Sequence, residues 1–103
     1  MTQRESATEA RLTRAVRRAG ALTYKLAPTT AGVPDRLVVW PTGVVDFVEV
    51  KASDGTVARI QHQRIRELRE RGANTFVLFG DPEVDDYVRT RLADLSLPAV
   101  AAR

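Results

Sequence analysis

Three carboxylates, a lysine and a glutamine stand where the sequence pattern calls for something blander. The run Val45-Asp46-Phe47-Val48-Glu49-Val50-Lys51 alternates as a strand does. Val45, Phe47, Glu49 and Lys51 fall on one face, and Asp46, Val48 and Val50 on the other. Glu49 and Lys51 therefore emerge side by side from a face that begins apolar. Locally this reads as a same-face salt bridge, which at a sheet edge is worth little; but the segment lies between two other strand candidates, where an edge role is less natural. Asp35 follows Gly32-Val33-Pro34 and enters the apolar run 37–40; an Asp after Pro at a strand entrance is also ordinary turn chemistry. Glu9 continues the helical stripe of Leu12 and Val16 backward toward Glu5, while Ser6-Ala7-Thr8-Glu9 equally fits a capping box in which Glu9 reaches back to the Ser6 N–H. Gln61 lies on the stripe of Ala58, Ile65 and Leu68, where it could simply bond a nearby backbone group. His62 falls off that stripe and reads as a solvated helix residue.

Taken together, Glu9, Asp35 and Glu49 without His or Cys are a hard oxygen-ligand set, suited to Mg²⁺ or Mn²⁺ and not to zinc. Such an ion keeps several waters and takes one or two carboxylates plus phosphate oxygens, so a bound water can act as the nucleophile. A lysine beside it, Lys51, can orient that water and offset charge developing on a phosphate. The chemistry this equipment serves is metal-assisted phosphodiester hydrolysis.

The elements that must position these groups follow from periodicity and breakers. Residues 6–19 predict a helix closed by Gly20, with Leu12, Ala15, Val16 and Ala19 inward. Strand candidates cover 22–26, 37–40 and 44–51, the last two joined by the turn Pro41-Thr42-Gly43 as a hairpin. Residues 57–71 predict a second helix stopped by Gly72, 75–79 the most hydrophobic strand, ended by Gly80-Asp81-Pro82, and 84–95 a last helix burying Val84, Tyr87, Val88, Leu92 and Leu95. The order α-β-β-β-α-β-α implies an α/β fold with a mixed central sheet of about four strands and helices on its faces. One domain over 1–95 and a short tail over 96–103 are expected.

Composition narrows the classes further. The 103 residues are 44% hydrophobic and 28% charged, a globular balance for one small core. The absence of Cys excludes a disulfide framework and thiolate zinc, and one His excludes a His-cluster metal site. No run approaches the roughly 18 apolar residues of a membrane span, and the first residues lack the apolar stretch of a secretory signal, so a cytoplasmic location is expected. The net charge of +3 permits a phosphate-rich partner without demanding one. Fourteen of the 16 basic residues are Arg, which sets apart the two lysines, Lys25 and Lys51.

Pro34-Asp35 followed fourteen positions later by Glu49-Val50-Lys51 resembles the PD-(D/E)xK nuclease signature. The fuller pattern is more specific. Ser6 to Glu9 at a helix start, Tyr24-Lys25, Gly32-Val33-Pro34-Asp35-Arg36, Phe47-Val48-Glu49-Val50-Lys51, and Gln61 with Leu68 and Gly72 resemble the VRR-NUC family over about residues 5–80. The resemblance implies the restriction-endonuclease-like fold and a Mg²⁺- or Mn²⁺-dependent nuclease. It assigns catalytic roles to Glu9, Asp35, Glu49, Lys51 and Gln61 and metal ligation to Glu9, Asp35, Glu49 and the Val50 carbonyl, and it leaves a phosphate contact and a structural role equally open for each of Lys25 and Arg36. Arg59 is a further expected DNA contact. At the start of the second helix, Val57-Ala58-Arg59-Ile60 stands where the family pattern has a Ser-Pro-type start. Small members of this family are often virus-encoded, which would make the cytoplasm that of a host cell, and act as dimers on branched DNA such as Holliday junctions. A homodimer is expected here too, with the Leu95-Ser96-Leu97 end as a candidate contact. A flap or fork repair nuclease, a non-catalytic DNA-binding module on the same fold, and a small assembly domain whose acids are caps and surface pairs are the competing readings.

Overall fold

In the computed structural model, which describes residues 2–98, seven elements follow in the expected order: α1 (Gln3–Arg18), β1 (Leu22–Lys25), β2 (Arg36–Val39), β3 (Val45–Lys51), α2 (Arg59–Glu70), β4 (Asn74–Phe79) and α3 (Gly80–Asp94). The four strands form one sheet in the order β1-β2-β3-β4. β1 with β2 and β2 with β3 are antiparallel, whereas β3 and β4 are parallel. A parallel pair needs a crossover of a dozen or more residues, and α2 supplies it. The α/β class and the mixed four-stranded sheet are therefore as expected. Among the described residues no helix is long and apolar enough to cross a membrane.

β3 decides which face is which. Asp46, Val48 and Val50 are buried, while Phe47, Glu49 and Lys51 are only partly so. The buried face receives α1 and α3 and holds the core of Leu12, Val16, Val38, Trp40, Val48, Leu78 and Val84. The opposite face carries α2 over its β4 side. Toward β1 that second face stays open: Leu22 is 56% and Tyr24 53% exposed, with Val45 beside them.

Three boundaries differ from the sequence expectation, each for a local reason. α1 begins at Gln3 because Thr2, not Ser6, accepts the N-terminal hydrogen bond, from the Glu5 N–H at 3.0 Å. Glu9 therefore lies well inside the helix, and the capping-box reading fails. α3 follows β4 with no intervening loop: Gly80 takes φ +75°, Pro82 has no N–H to lose in the first turn, and the Glu83 carboxylate accepts the Phe79 N–H at 3.1 Å. At the other end Ser96, at φ +53°, turns the chain back so that the Leu97 N–H bonds the Leu92 carbonyl at 2.8 Å. Leu95 and Leu97 consequently pack, half-buried, against their own core. The rest of the expected tail, 99–103, lies outside the described residues.

The same buried face holds an acid, Asp46, with no exposed surface. Its carboxylate accepts from Trp40 Nε1 at 2.9 Å, the Tyr87 hydroxyl at 2.5 Å, and Arg91 at 2.9 and 2.6 Å. Arg91 also lies 5.0 Å over the Phe76 ring. Burial and the Asp46 charge raise the Tyr87 pKa, so the hydroxyl stays a donor. These bonds fasten α3 to the sheet. Asp46→Ala removes the acceptor of three side chains, Trp40, Tyr87 and Arg91, and is expected to cost about 3–5 kcal/mol in urea unfolding; a loss below about 1 kcal/mol would show that the cluster does not hold α3.

Candidate active site

The candidate site arises where β3 outruns its neighbour. Pairing with β2 stops at Arg36↔Val48, whereas pairing with β4 continues to Lys51↔Phe79. Glu49, Val50 and Lys51 are thus held on one flank and open on the other. The Trp40 N–H bonds the Val44 carbonyl at 2.8 Å, so even-numbered residues of β3 aim their main-chain groups at β2. Val50 is the first of these beyond the end of β2, and its main chain faces the gap. The loop from β1 returns along this gap, tied by the Leu26 N–H to the Asp35 carbonyl at 2.6 Å. The result is an open cleft lined by Asp35, Glu49, Lys51 and Gln61.

Within it Glu49 is the central group. Lys51 Nζ lies 3.8 Å from its Oε2, and Gln61 Nε2 donates to the same oxygen at 3.3 Å. Burial and the nearby Asp35 charge push the Glu49 pKa up, against the pull of Lys51 and of the Asp35 main-chain N–H; Glu5 adds to the rise. Its negative charge is therefore undercompensated. Gln61 also accepts the Ala58 N–H at 2.9 Å. Ala58 has no side-chain oxygen with which to cap α2, so Gln61 supplies the cap and reaches the acid at once. Gln61 thus makes the expected backbone bond and also contacts Glu49. Gly32, at φ +84°, lets the loop approach α2: a Cβ there would meet the Ile60 carbonyl oxygen at 2.6 Å.

Glu9 sits apart from this cleft, buried on the α1 side. Arg36 Nη2 donates to its Oε2 at 2.7 Å, and Lys25 Nζ lies 3.0 Å from the same oxygen. Lys25 reaches 3.6 Å from Asp35 Oδ2 as well, and so links the two parts. Burial alone would raise the Glu9 pKa, but hydrogen bonds from Arg36 and Lys25 more than offset it and hold the group below the ordinary glutamate range. Among the described residues no three His, Cys, Asp or Glu side chains converge as a metal cluster. The expected three-acid set is therefore two acids on the cleft and one behind Lys25. Two carboxylates and a main-chain carbonyl still suit Mg²⁺ or Mn²⁺, which take few protein ligands.

A solved structure described as a VRR_NUC domain matches this fold with a TM-score of 0.80 and 31% identity, covering 85% of this chain and 97% of that one. The chain belongs to the VRR_NUC family. No family model matches it. It is also 48% identical over 50 residues to "Putative nuclease p44" of Acyrthosiphon pisum secondary endosymbiont phage 1. That match spans 48% of this chain and about half of the phage protein, 54% of its length.

Of the three cations expected to meet phosphate in this VRR_NUC chain, the structure keeps two accessible. Arg59 is exposed at the start of α2, and Lys25 is 48% exposed at the cleft. Arg36 is buried on Glu9 and on Thr23 Oγ1 at 3.2 Å, so its expected role as a phosphate contact is corrected to a structural one. Its place on the face that carries Val38 put it inside. Glu5 is the site neighbour that sequence reasoning left unassigned; it lies on the Glu9 stripe, one turn earlier.

Because the folded pKa of Glu9 is depressed, its contribution to stability is complete above the ordinary value of 4.5 and is lost as pH falls through the lower folded value. Glu9→Gln should therefore be less stable than the wild type at neutral pH, by about 3 kcal/mol. The gap in urea midpoints should close in strong acid. A gap independent of pH would show that the Glu9 charge is not what holds Arg36 and Lys25.

Proposed function

We propose that this VRR_NUC chain is a DNA nuclease that uses Mg²⁺ or Mn²⁺ to hydrolyse phosphodiester bonds, with a four-way junction as its preferred substrate. The observation that carries the reading is the meeting of Asp35, Glu49, Lys51 and Gln61 in one open cleft. Asp35, Glu49 and the Val50 carbonyl would hold the ion. When bound, it supplies a water of lowered pKa and positive charge at the phosphate. Lys51 orients the attacking water and donates to the phosphate oxygens as charge grows on them. Gln61 fixes the rotamer of Glu49 from the rigid start of α2. Glu9 acts through Lys25, which it holds beside Asp35. Arg59 and Lys25 offer charge to the DNA backbone on either side of the cleft. A module that only binds DNA has no use for a half-buried, undercompensated acid at the phosphate position, which speaks for hydrolysis.

A junction needs two symmetric cuts, and a two-fold homodimer offers two identical sites. The open apolar face of Leu22, Tyr24 and Val45 is the surface we assign to a second copy, since α2 leaves it bare. The proposed place of action is the cytoplasm, that of the host if the chain is virus-encoded.

Cleavage of labelled linear duplex, flap, fork and four-way junction in Mn²⁺ tests these points together. Asp35→Asn and Lys51→Ala should each lower the rate by about 100-fold or more with the melting temperature nearly unchanged. The junction should be cut fastest, and light scattering should give a dimer. Wild-type rates in both variants would remove the site assignment. A monomer cutting all substrates equally would remove the junction role.

A further inference from the structure

Resting on the nuclease reading above, we infer that the Lys25 ammonium occupies the place of a second cation between Glu9 and Asp35, so that each chain binds a single divalent ion. The ammonium lies 3.0 and 3.3 Å from the two Glu9 carboxylate oxygens and 3.6 Å from Asp35 Oδ2. It thus spans two carboxylates that face each other across the sheet end, the position in which a bridging ion would otherwise sit. The bridge is built into the backbone, because the residue after Lys25 bonds the Asp35 carbonyl and fixes the end of β1 beside that acid.

Charge points the same way. Lys25 and Arg36 balance Glu9 and Asp35 through their ion pairs, whereas Glu49 has only Lys51 at 3.8 Å and lies near the Asp35 and Glu5 charges. The Glu9 end is therefore neutral before any ion binds, and the unbalanced charge lies at Glu49. One divalent ion beside Asp35 and Glu49 leaves an excess that a substrate phosphate can offset. A second would have to share Glu9 with two cations in a confined space, where like charges repel strongly. Oε2 of Glu9 is held by Arg36 as well, but Oε1 accepts from Lys25 alone among the described residues. Removing Lys25 therefore frees Oε1 together with Asp35 Oδ2, while Arg36 stays buried beneath and keeps Glu9 in place.

Counting Mn²⁺ bound by the full chain, by calorimetry and by the loss of the free-ion paramagnetic resonance signal, tests this without reading activity. At saturation the wild type should bind one ion per chain, and Lys25→Arg, which keeps the cation, should also bind one. Lys25→Met, checked for native circular dichroism, should bind two. Two ions in the wild type or in Lys25→Arg overturn the inference, as does a single ion in folded Lys25→Met. Should Lys25→Met not fold, Lys25→Gln replaces it under the same criterion: two ions support the inference, and one ion overturns it. A wild type that binds no Mn²⁺, or an Asp35→Asn variant that still binds its ion, strikes the metal-site reading itself; two wild-type ions leave that reading standing and remove only the role of Lys25.

Discussion

β3 must satisfy two environments at once, and its alternation is the constraint on which the rest depends. Asp46, Val48 and Val50 face α1 and α3, while Phe47, Glu49 and Lys51 face the α2 side. A slip of one residue would exchange the two sets, burying Glu49 and Lys51 and exposing the core valines. Asp46 makes such a slip especially costly, because its carboxylate is the acceptor for Trp40, Tyr87 and Arg91 only from the buried face. The acid that has no access to solvent thereby fixes where the accessible acid points. Function on one face is registered by polar packing on the other.

The cleft itself is a consequence of unequal strand lengths. β2 begins only at Arg36, opposite Val48, and beyond that point β3 continues to Lys51 against β4 alone. That overhang frees main chain and side chains on one flank without loosening the strand, since the parallel ladder and α2 still hold it. Gln61 binds this rigidity to the site by bonding Ala58 and Glu49 with one side chain. The cations are arranged with equal economy. Arg36 and Lys25 neutralise Glu9, which allows a carboxylate to be buried inside α1 next to the sheet. Lys25 then extends that pairing to Asp35.

Much of this was legible because periodicity reports on faces. The order of elements, the mixed sheet, the β2–β3 hairpin and the emergence of Glu49 beside Lys51 all follow from alternation and turn residues. What sequence could not supply was partner identity across long separations. Glu9 on a helical stripe fits a cap, a ligand or an ion pair equally well until Lys25 and Arg36 are seen to meet it from 16 and 27 positions away. Arg36 entered as a phosphate contact through the resemblance alone, yet it shares the Val38 face of β2 and is buried there on Glu9. The Asp46 cluster left a signal that went unused, a charged residue on an otherwise apolar face. Helix starts differ from the pattern because Thr2 and not Ser6 accepts the capping bond of α1, and because α3 begins at Gly80, directly after β4 and four residues before Val84.

The central proposal is that Asp35, at the entrance to β2, and Glu49, on the overhang of β3, form the cation site of this VRR_NUC chain. Crystals grown with Mn²⁺ and measured at the manganese absorption edge test it most directly, since the anomalous signal locates the ion without reference to activity. The account predicts one peak per chain in the cleft, within ligand distance of Asp35, Glu49 and the Val50 carbonyl. A peak on Glu9 in place of the Lys25 ammonium, or none between Asp35 and Glu49, would contradict it.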